Sequence, residues 1–426
     1  MTKINLKHSP LYAGALDPDI LSFEVVERKF RGHPDSLADM VAQSFSQKYI
    51  YEAWKMFPEF ENKYFPNFSA DKITLAGASS VIDNGKIIIN SPVNALLMGK
   101  ITQKIGDIDL GVDNIFKLAI EEVMSKCLHT DDYKQHIYRK TYAVNLAGVD
   151  RGKKFYDPSS TSELIESLKN ETFATSTVYI VAYAPLSVTE KLSIFLDNFT
   201  NSDKFIKAFP AIGSDIKMLI RRDGSEFNIS LCLPIRPEIV NTIHEYNDII
   251  NSATKTIESI IFYYLENNGY KNPKIHMHIN TKDTETKKYF AVWGTALSKG
   301  DIGAVGRGNR QQGFISGIRP STGEAISGKN PYHFSGVVYQ IVADAISNEI
   351  YKVTNLKNIV YITANNGDQL NKPNLIDVLL ESDDHIFTNT IKEIINKTLD
   401  NIDSLRTEYI LTDPIERFMN PKSYLL

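Results

Sequence analysis

Apolar and polar positions alternate along this chain in two rhythms. After Gly32, the residues Leu37, Val41, Phe45 and Tyr49 recur every fourth position with Met40 beside them, the stripe of an amphipathic helix. Pro34 suits the first turn of that helix and Asp35 favours the positive end of its dipole, so the text GHPD falls at a loop-to-helix junction. Farther on, KITLAGASSVIDNGKIIINSP alternates apolar and small residues around Asp83-Asn84-Gly85, which predicts a hairpin. NIFKLAIEEVMSKCL predicts a helix, and STVYIVAYAPL, β-branched and aromatic throughout, predicts a buried strand. SVTEKLSIFLDNFTN opens on a Ser-x-x-Glu capping box and continues as a helix.

In the second half, FNISLCLPI, KIHMHINT and KYFAVWGTAL predict strands. TIHEYNDIINSATKTIESIIFYYLENNG predicts a long helix stopped by Gly269, GVVYQIVADAISNEIYKV predicts another, and the tail supplies a strand and two short helices. Between Lys140 and Asn170 the polar, Pro- and Ser-containing text DRGKKFYDPSSTSELIESLKN interrupts the pattern, as a surface loop or a boundary does. Strand pairs followed by helices recur, which predicts an α+β fold with mostly antiparallel sheets rather than strict βα alternation. The recurrence points to internal structural repetition without a sequence repeat.

Composition narrows the function classes. With 426 residues the chain has length for two or three domains or one built from repeated units, and its 42% hydrophobic and 23% charged content is that of a globular protein. The net charge of −4 argues against bulk attraction to nucleic acid or to an anionic membrane, so any anion site must be local. Two cysteines, Cys127 and Cys232, without a C-x-x-C pair or a Cys/His cluster, point away from a disulfide framework or structural zinc and toward a reducing, cytoplasmic setting. The opening MTKINLKHSPLYAG lacks the apolar core of a signal peptide, and no window approaches ~18 consecutive apolar residues, so no membrane partner is expected.

Against that background one segment stands out. Lys299 to Pro331 holds three arginines, two lysines and eight glycines. Glycine lets backbone amides approach a ligand, and arginine offers a planar fork that matches phosphate oxygens. GEAISGKN has the Gly-x-x-x-x-Gly-Lys frame of a P-loop, but Asn330 replaces the Ser or Thr that would hold Mg²⁺. GRGNRQQG lacks the spacing of a dinucleotide site. Composition alone leaves open both a polyphosphate cradle and a solvated surface loop, just as His33 reads equally as an incidental helix-start residue and Lys217 as an ordinary strand lysine.

Taken in order, VERKFRGHPDSLAD, YAPLS, FPAIGSDIK, HINTKD, GDIGAVGRGNR and EAISGKNP resemble the S-adenosylmethionine synthetases (methionine adenosyltransferases) of the archaeal type, from about Glu24 to Glu349. The resemblance implies three similar strand-pair-plus-helix units around a pseudo-threefold axis, taken here as 1–140, 141–270 and 271–426 with strands exchanged between them. It also implies a homodimer with active sites at the subunit interface. The implied reaction is attack of the methionine sulfur on C5′ of ATP, with departure of triphosphate and its cleavage to pyrophosphate and phosphate. His33, Lys217, Arg307 and Lys329 match catalytic positions, Asp35 matches a Mg²⁺ ligand, and Asp215, Asp301, Arg310, Arg319 and Glu324 match positions around ATP and the amino acid.

The chain departs from the family pattern at acidic positions. Thr74 stands for a glutamate, Thr175-Ser176 for an Asn-Asp pair, Ser214 for a glutamate and Ile302 for the second Asp of GDDG. A K⁺ ion would have to bind without the glutamate that Thr74 replaces. Phe30 and Arg31 replace a small and an apolar residue, NGKI replaces a glycine triplet, NPYHF alters an Asn-His pair, and the family's Gly-x-Gly-Ser stretch has no match near NLAGVDRG. The basic set is kept while carboxylates that would attract an ammonium or sulfonium are lost. Three readings therefore compete: a working methionine adenosyltransferase, an enzyme that adenosylates another nucleophile or water, and a catalytically silent homologue that binds nucleotide or pairs with an active subunit.

Overall fold

The computed structural model describes residues 2–5, 10–13, 23–83, 85–143, 156–170, 173–332, 334–381 and 385–425. Three five-stranded sheets organise them. The first runs Lys274–Ile279, Glu226–Cys232, Lys217–Asp223, Phe23–Lys29 and Ile315–Ser316, with Lys217–Asp223 antiparallel to both neighbours. The second joins Ile137–Ala143, Val93–Ile101, Thr74–Ala76 and Ile302–Ala304, with Phe68–Ser69 pairing beside Val93–Ile101. The third orders Thr2–Asn5, Pro10–Ala13, Leu375–Leu380, Asn358–Ala364 and Val178–Ala184. Most pairings are antiparallel, as the sequence pattern predicts.

Each sheet covers one face with helices. Leu37, Val41, Phe45 and Tyr49 of the Pro34–Met56 helix are all buried in one core with Ile115, Phe116 and Val123 of the Val112–Cys127 helix and with Leu75, Ala95 and Leu97 of the second sheet. The Ser335–Thr354 helix lies across Val178–Ala184 and Asn358–Ala364. The capped helix Val188–Thr200 and the long helix Ile243–Asn267 cover the first sheet, and both carry full capping boxes. The opposite sheet faces remain open and partly apolar: Phe23, Leu219, Met98, Tyr138, Tyr142, Tyr179 and Leu375 are all exposed. Among the described residues no helix is long and apolar enough to cross a membrane.

Three local expectations need correction. KYFAVWGTAL is not a strand: Phe290 and Ala291 meet Ile235 through isolated contacts, then two short 3₁₀ turns, Val292–Gly294 and Ala296–Lys299, follow. Trp293 sits at φ +59°, and a Cβ on Gly294 would lie 2.5 Å from Gly213 Cα, so the chain turns where another backbone crosses it. The tail holds two strands, Asn358–Ala364 and Leu375–Leu380, and three helices, Thr388–Asp400, Ile402–Leu411 and Pro414–Met419. Within the interrupted stretch, Ile137–Ala143 is a strand and Thr161–Asn170 a helix. The hairpin strands Ser79–Asp83 and Lys86–Ser91 pair as predicted, while Asn84, His333 and the NLAGVDRG text lie outside the described residues.

Candidate active site

The GHPD loop hangs between two anchored backbones. Phe30, fully buried above the first sheet, donates its N–H to Ile216 O at 2.9 Å, and Gly32 N–H donates to Ser214 O at 3.2 Å. His33 is then the N-cap of the Pro34–Met56 helix, its Nδ1 accepting the Asp35 N–H at 3.2 Å. Burial pushes the imidazole down to about 4 against the pull of Asp35, so His33 is neutral at physiological pH, with Nε2–H as its donor.

The Asp35 carboxylate is shared. Oδ2 lies 2.9 Å from Lys29 Nζ, and Oδ1 accepts the Ala304 N–H at 3.1 Å. That second bond exists because the Ile302–Ala304 strand passes over the start of the helix: a Cβ on Gly303 would stand 2.0 Å from Pro34 O, so only glycine allows the approach. Lys29 Nζ also donates to Arg307 O at 2.5 Å. The Asn309 side chain brackets the Lys29 peptide, accepting its N–H at 2.9 Å and donating to its carbonyl at 2.8 Å. Asp39, one turn along the helix, accepts the Gly306 N–H at 2.8 Å, and burial pushes its carboxyl up to about 7. The glycine-rich segment is thus an anchored loop folded over a helix N-terminus, a place that favours anions.

Lys217 faces Lys29 directly across the sheet register, on the same face. Its Nζ is 3.3 Å from Glu27, and the side chain is half exposed. The two lysines are register partners, each ammonium held by its own carboxylate. Asp215 is buried, accepts the Ala296 N–H at 2.6 Å, and is pushed up to about 7 by burial, with Asp301 and Asp35 adding to the rise. Thr295 Oγ1 completes this wall by donating to Gly32 O at 2.9 Å. His33, Asp35, Lys217, Asp215 and Asp301 are thereby brought into mutual electrostatic range.

The other expected residues sit apart from that group or are already engaged. Lys329 is buried, in contact with Glu324, 3.8 Å from Asp71 and 4.5 Å above the Phe334 ring. Burial pushes its ammonium down to about 8 against the pull of Asp71. Arg319 grips Glu190 with Nε and Nη2 at 2.9 and 3.1 Å, donates to Pro185 O at 3.2 Å, and packs on the Tyr183 ring. Its guanidinium is a brace for the helix cap rather than an open hand. Arg307 and Arg310 are both exposed, and Arg310 points along the rim of a cavity beside the C-terminal helix.

A hub beneath these loops was not visible in the sequence. Buried Arg28 gives Nε and Nη2 to Asp197 Oδ2 at 2.9 and 2.7 Å, contacts Gly313 O, and donates to Phe418 O at 3.2 Å. One guanidinium thus ties the GHPD strand, the end of the glycine-rich loop, the Val188–Thr200 helix and the C-terminal helix together. No local pattern marks Asp39 for the site, and alternation of polar residues in VERKFRG is the only hint that Lys29 faces it.

Thr74 and Ser214, two of the altered acidic positions, border the same place, whereas Ser176 lies against the Ser335–Thr354 helix. Thr74 is the register partner of Ala304, whose N–H binds Asp35. Ser214 Oγ is buried without a hydrogen-bond partner. Ile302 is exposed, and Ser176 exchanges hydrogen bonds with Ser335, its N–H to Oγ at 3.1 Å and its carbonyl from Oγ at 2.9 Å. Among the described residues no three His, Cys, Asp or Glu side chains form a ready metal cage. Mg²⁺ is commonly held by one or two carboxylates with phosphate oxygens and water, a demand that Asp35 alone can meet.

Comparisons with known proteins bear on the family and the fold. The chain is 33% identical over 393 residues to the S-adenosylmethionine synthase of Methanocaldococcus jannaschii, covering 89% of this chain and 92% of that one. It is 30% identical to the S-adenosylmethionine synthase of Methanococcus aeolicus (93% and 96% covered) and 28% identical to an uncharacterized protein of Streptococcus pyogenes serotype M3 (91% and 92%). In fold it resembles an unusual S-adenosylmethionine synthetase from Campylobacter jejuni, with TM-score 0.55 at 13% identity, covering 95% of this chain and all of that one. With the family model for S-adenosylmethionine synthetase (AdoMet synthetase) matching residues 16–413, this chain belongs to the S-adenosylmethionine synthetase family.

Proposed function

We propose that this methionine adenosyltransferase-like enzyme forms S-adenosylmethionine from ATP and L-methionine, releasing pyrophosphate and phosphate by way of bound triphosphate. The observation that carries the proposal is the Lys29–Lys217 pair beside the N-terminus of the GHPD helix. In the reaction the thioether sulfur forms a bond to C5′, the C5′–O bond breaks, and the electron pair leaves on the triphosphate. Charge therefore grows on the leaving group, and preorganised cations that meet it there lower the barrier. Lys29 and Lys217 supply that charge, and the proposal adds Arg307 and Lys329 at the positions the family pattern assigns to the triphosphate, with Arg310 at the edge of the same loop. Neutral His33 offers Nε2–H to the departing oxygen and so acts as a hydrogen-bond donor, not as a proton source. Asp35 would hold Mg²⁺ against the phosphate oxygens, where the ion supplies Lewis-acid charge. Asp215 and Asp301 line the side where the amino acid enters.

The same reading takes 1–140, 141–270 and 271–426 as three units; the Phe23–Lys29 strand, seated between Lys217–Asp223 and Ile315–Ser316, supports such strand exchange. It also pairs two chains through the open, partly apolar sheet faces as a cytoplasmic homodimer, which sedimentation velocity tests directly. A second reading is favoured by the four altered acidic positions: the acceptor is a nucleophile without an ammonium group, or water. Mass-spectrometric product analysis with ATP and Mg²⁺, with and without methionine, separates the two. S-adenosylmethionine formed only with methionine supports the first. Triphosphate released without a methionine requirement supports the second, and intact ATP in both reactions sinks both.

A further inference from the structure

On the far side of the glycine-rich loop lies a cavity of about 80 Å³, closed by the Pro414–Met419 helix. Its polar wall is made by Asp39, Gln43, Arg310, Gln311, Ser327 and Arg417, and neither His33, Asp35, Lys217 nor Lys329 reaches it. A single water needs only about 10–15 Å³ of such free space, so the cavity admits several waters or a small oxyanion.

The wall is cationic and has donors to spare. Arg417 is locked in place: Nη1 donates to Tyr409 O at 2.8 Å, Nη2 to Gln43 Oε1 at 3.3 Å, and the guanidinium stacks 3.8 Å from the Tyr409 ring centroid. Its Nε is nevertheless buried without an acceptor, an expensive state for a charged donor. The side chains of Arg310 and Gln311, across the cavity, make no hydrogen bond among the described residues. The single acid, Asp39, already accepts the Gly306 N–H, and burial keeps its carboxyl from opposing an anion as a full charge.

We infer that this cavity is a second oxyanion site, sized for one inorganic phosphate and distinct from the triphosphate position. An oxyanion there bridges Arg310 and Arg417 and pins the loop whose amides Asp39 holds. Occupancy of the cavity holds the Arg310 guanidinium on this side of the loop. The site stands whether or not methionine is the acceptor.

Equilibrium dialysis of the full chain against radiolabelled inorganic phosphate tests the inference. The double variant Lys217→Ala/Lys329→Ala removes two of the four cations proposed for the triphosphate and should weaken phosphate binding on that side; Gln311→Glu places an acid on the cavity wall, and Arg417→Gln removes a donor. One phosphate should remain bound in the lysine double variant with unchanged affinity, and weaken at least tenfold when Gln311→Glu is added. If Arg417→Gln disturbs folding, as melting would reveal, Gln311→Glu still decides, since that side chain supports no internal contact. Absence of any bound phosphate overturns the inference, as does binding that vanishes with the two lysines and ignores Gln311→Glu.

Discussion

Replacing Lys329 by methionine tests the electrostatic account where it is most exposed to failure. The ammonium is buried, and at an effective dielectric near 20 its attraction for an oxyanion about 4 Å away is about 4 kcal/mol. Glu324 and Asp71 offset part of that, and single oxyanion donors typically contribute ~3 kcal/mol. A loss of ~3 kcal/mol corresponds to roughly 150-fold in kcat/KM for ATP. Removing the cation also leaves Glu324 facing the incoming phosphates, so Lys329→Met/Glu324→Gln separates lost attraction from new repulsion; the double variant should recover at most about tenfold. The pH profile gives an independent readout. With burial holding the Lys329 ammonium near 8, below the usual lysine range, the cationic form is complete at lower pH and is lost as pH rises through about 8. Wild-type kcat/KM should therefore fall on the alkaline side, and that limb should be missing in Lys329→Met. Coupled-phosphate kinetics between pH 6.5 and 9.5 would show both effects. Turnover within threefold of wild type, or an unchanged alkaline limb in the variant, would refute the role given to Lys329.

Further variants divide binding from architecture. Asp35→Asn should raise the Mg²⁺ concentration for half-maximal activity at least tenfold, and an unchanged Mg²⁺ titration would remove Asp35 as a ligand. Arg319→Ala breaks a buried pair with Glu190 and should cost about 3–5 kcal/mol in urea unfolding while the folded fraction keeps its KM for ATP; normal stability with a raised KM would return Arg319 to substrate binding. Ser214→Ala removes a buried hydroxyl that has no partner, so unfolding free energy should stay level or rise by up to about 1 kcal/mol, and a clear loss would mean that the hydroxyl has work to do.

Local periodicity carried much of the fold. Leu37, Val41, Phe45 and Tyr49 announce their helix because one stripe of it is buried, and Ser187 and Glu190 announce a cap because the motif closes within four residues. Yet Glu190 has a second duty, holding Arg319 from 129 positions away, and no local pattern reports that. KYFAVWGTAL misleads for a related reason: Ala291, Val292, Trp293 and Leu297 are buried, but by a crossing backbone at Gly213 rather than by sheet neighbours. At the site, the glycines and arginines of the late segment left a polyphosphate cradle and a solvated loop both open, whereas Lys29 became significant only when the register set it against Lys217.

If Asp35 holds Mg²⁺ and the lysines take the triphosphate, as proposed, the paired charges at the site also work as an ion exchanger. With Asp35 on Lys29 and Glu27 beside Lys217, each cation arrives already neutralised. A bare metal ion claiming Asp35 would strand Lys29 against Lys217, and a bare polyphosphate claiming the lysines would strand Asp35 and Glu27. Metal and nucleotide entering together would release both sets of counter-ions at once, so on that reading Asp35 and Glu27 would favour joint loading.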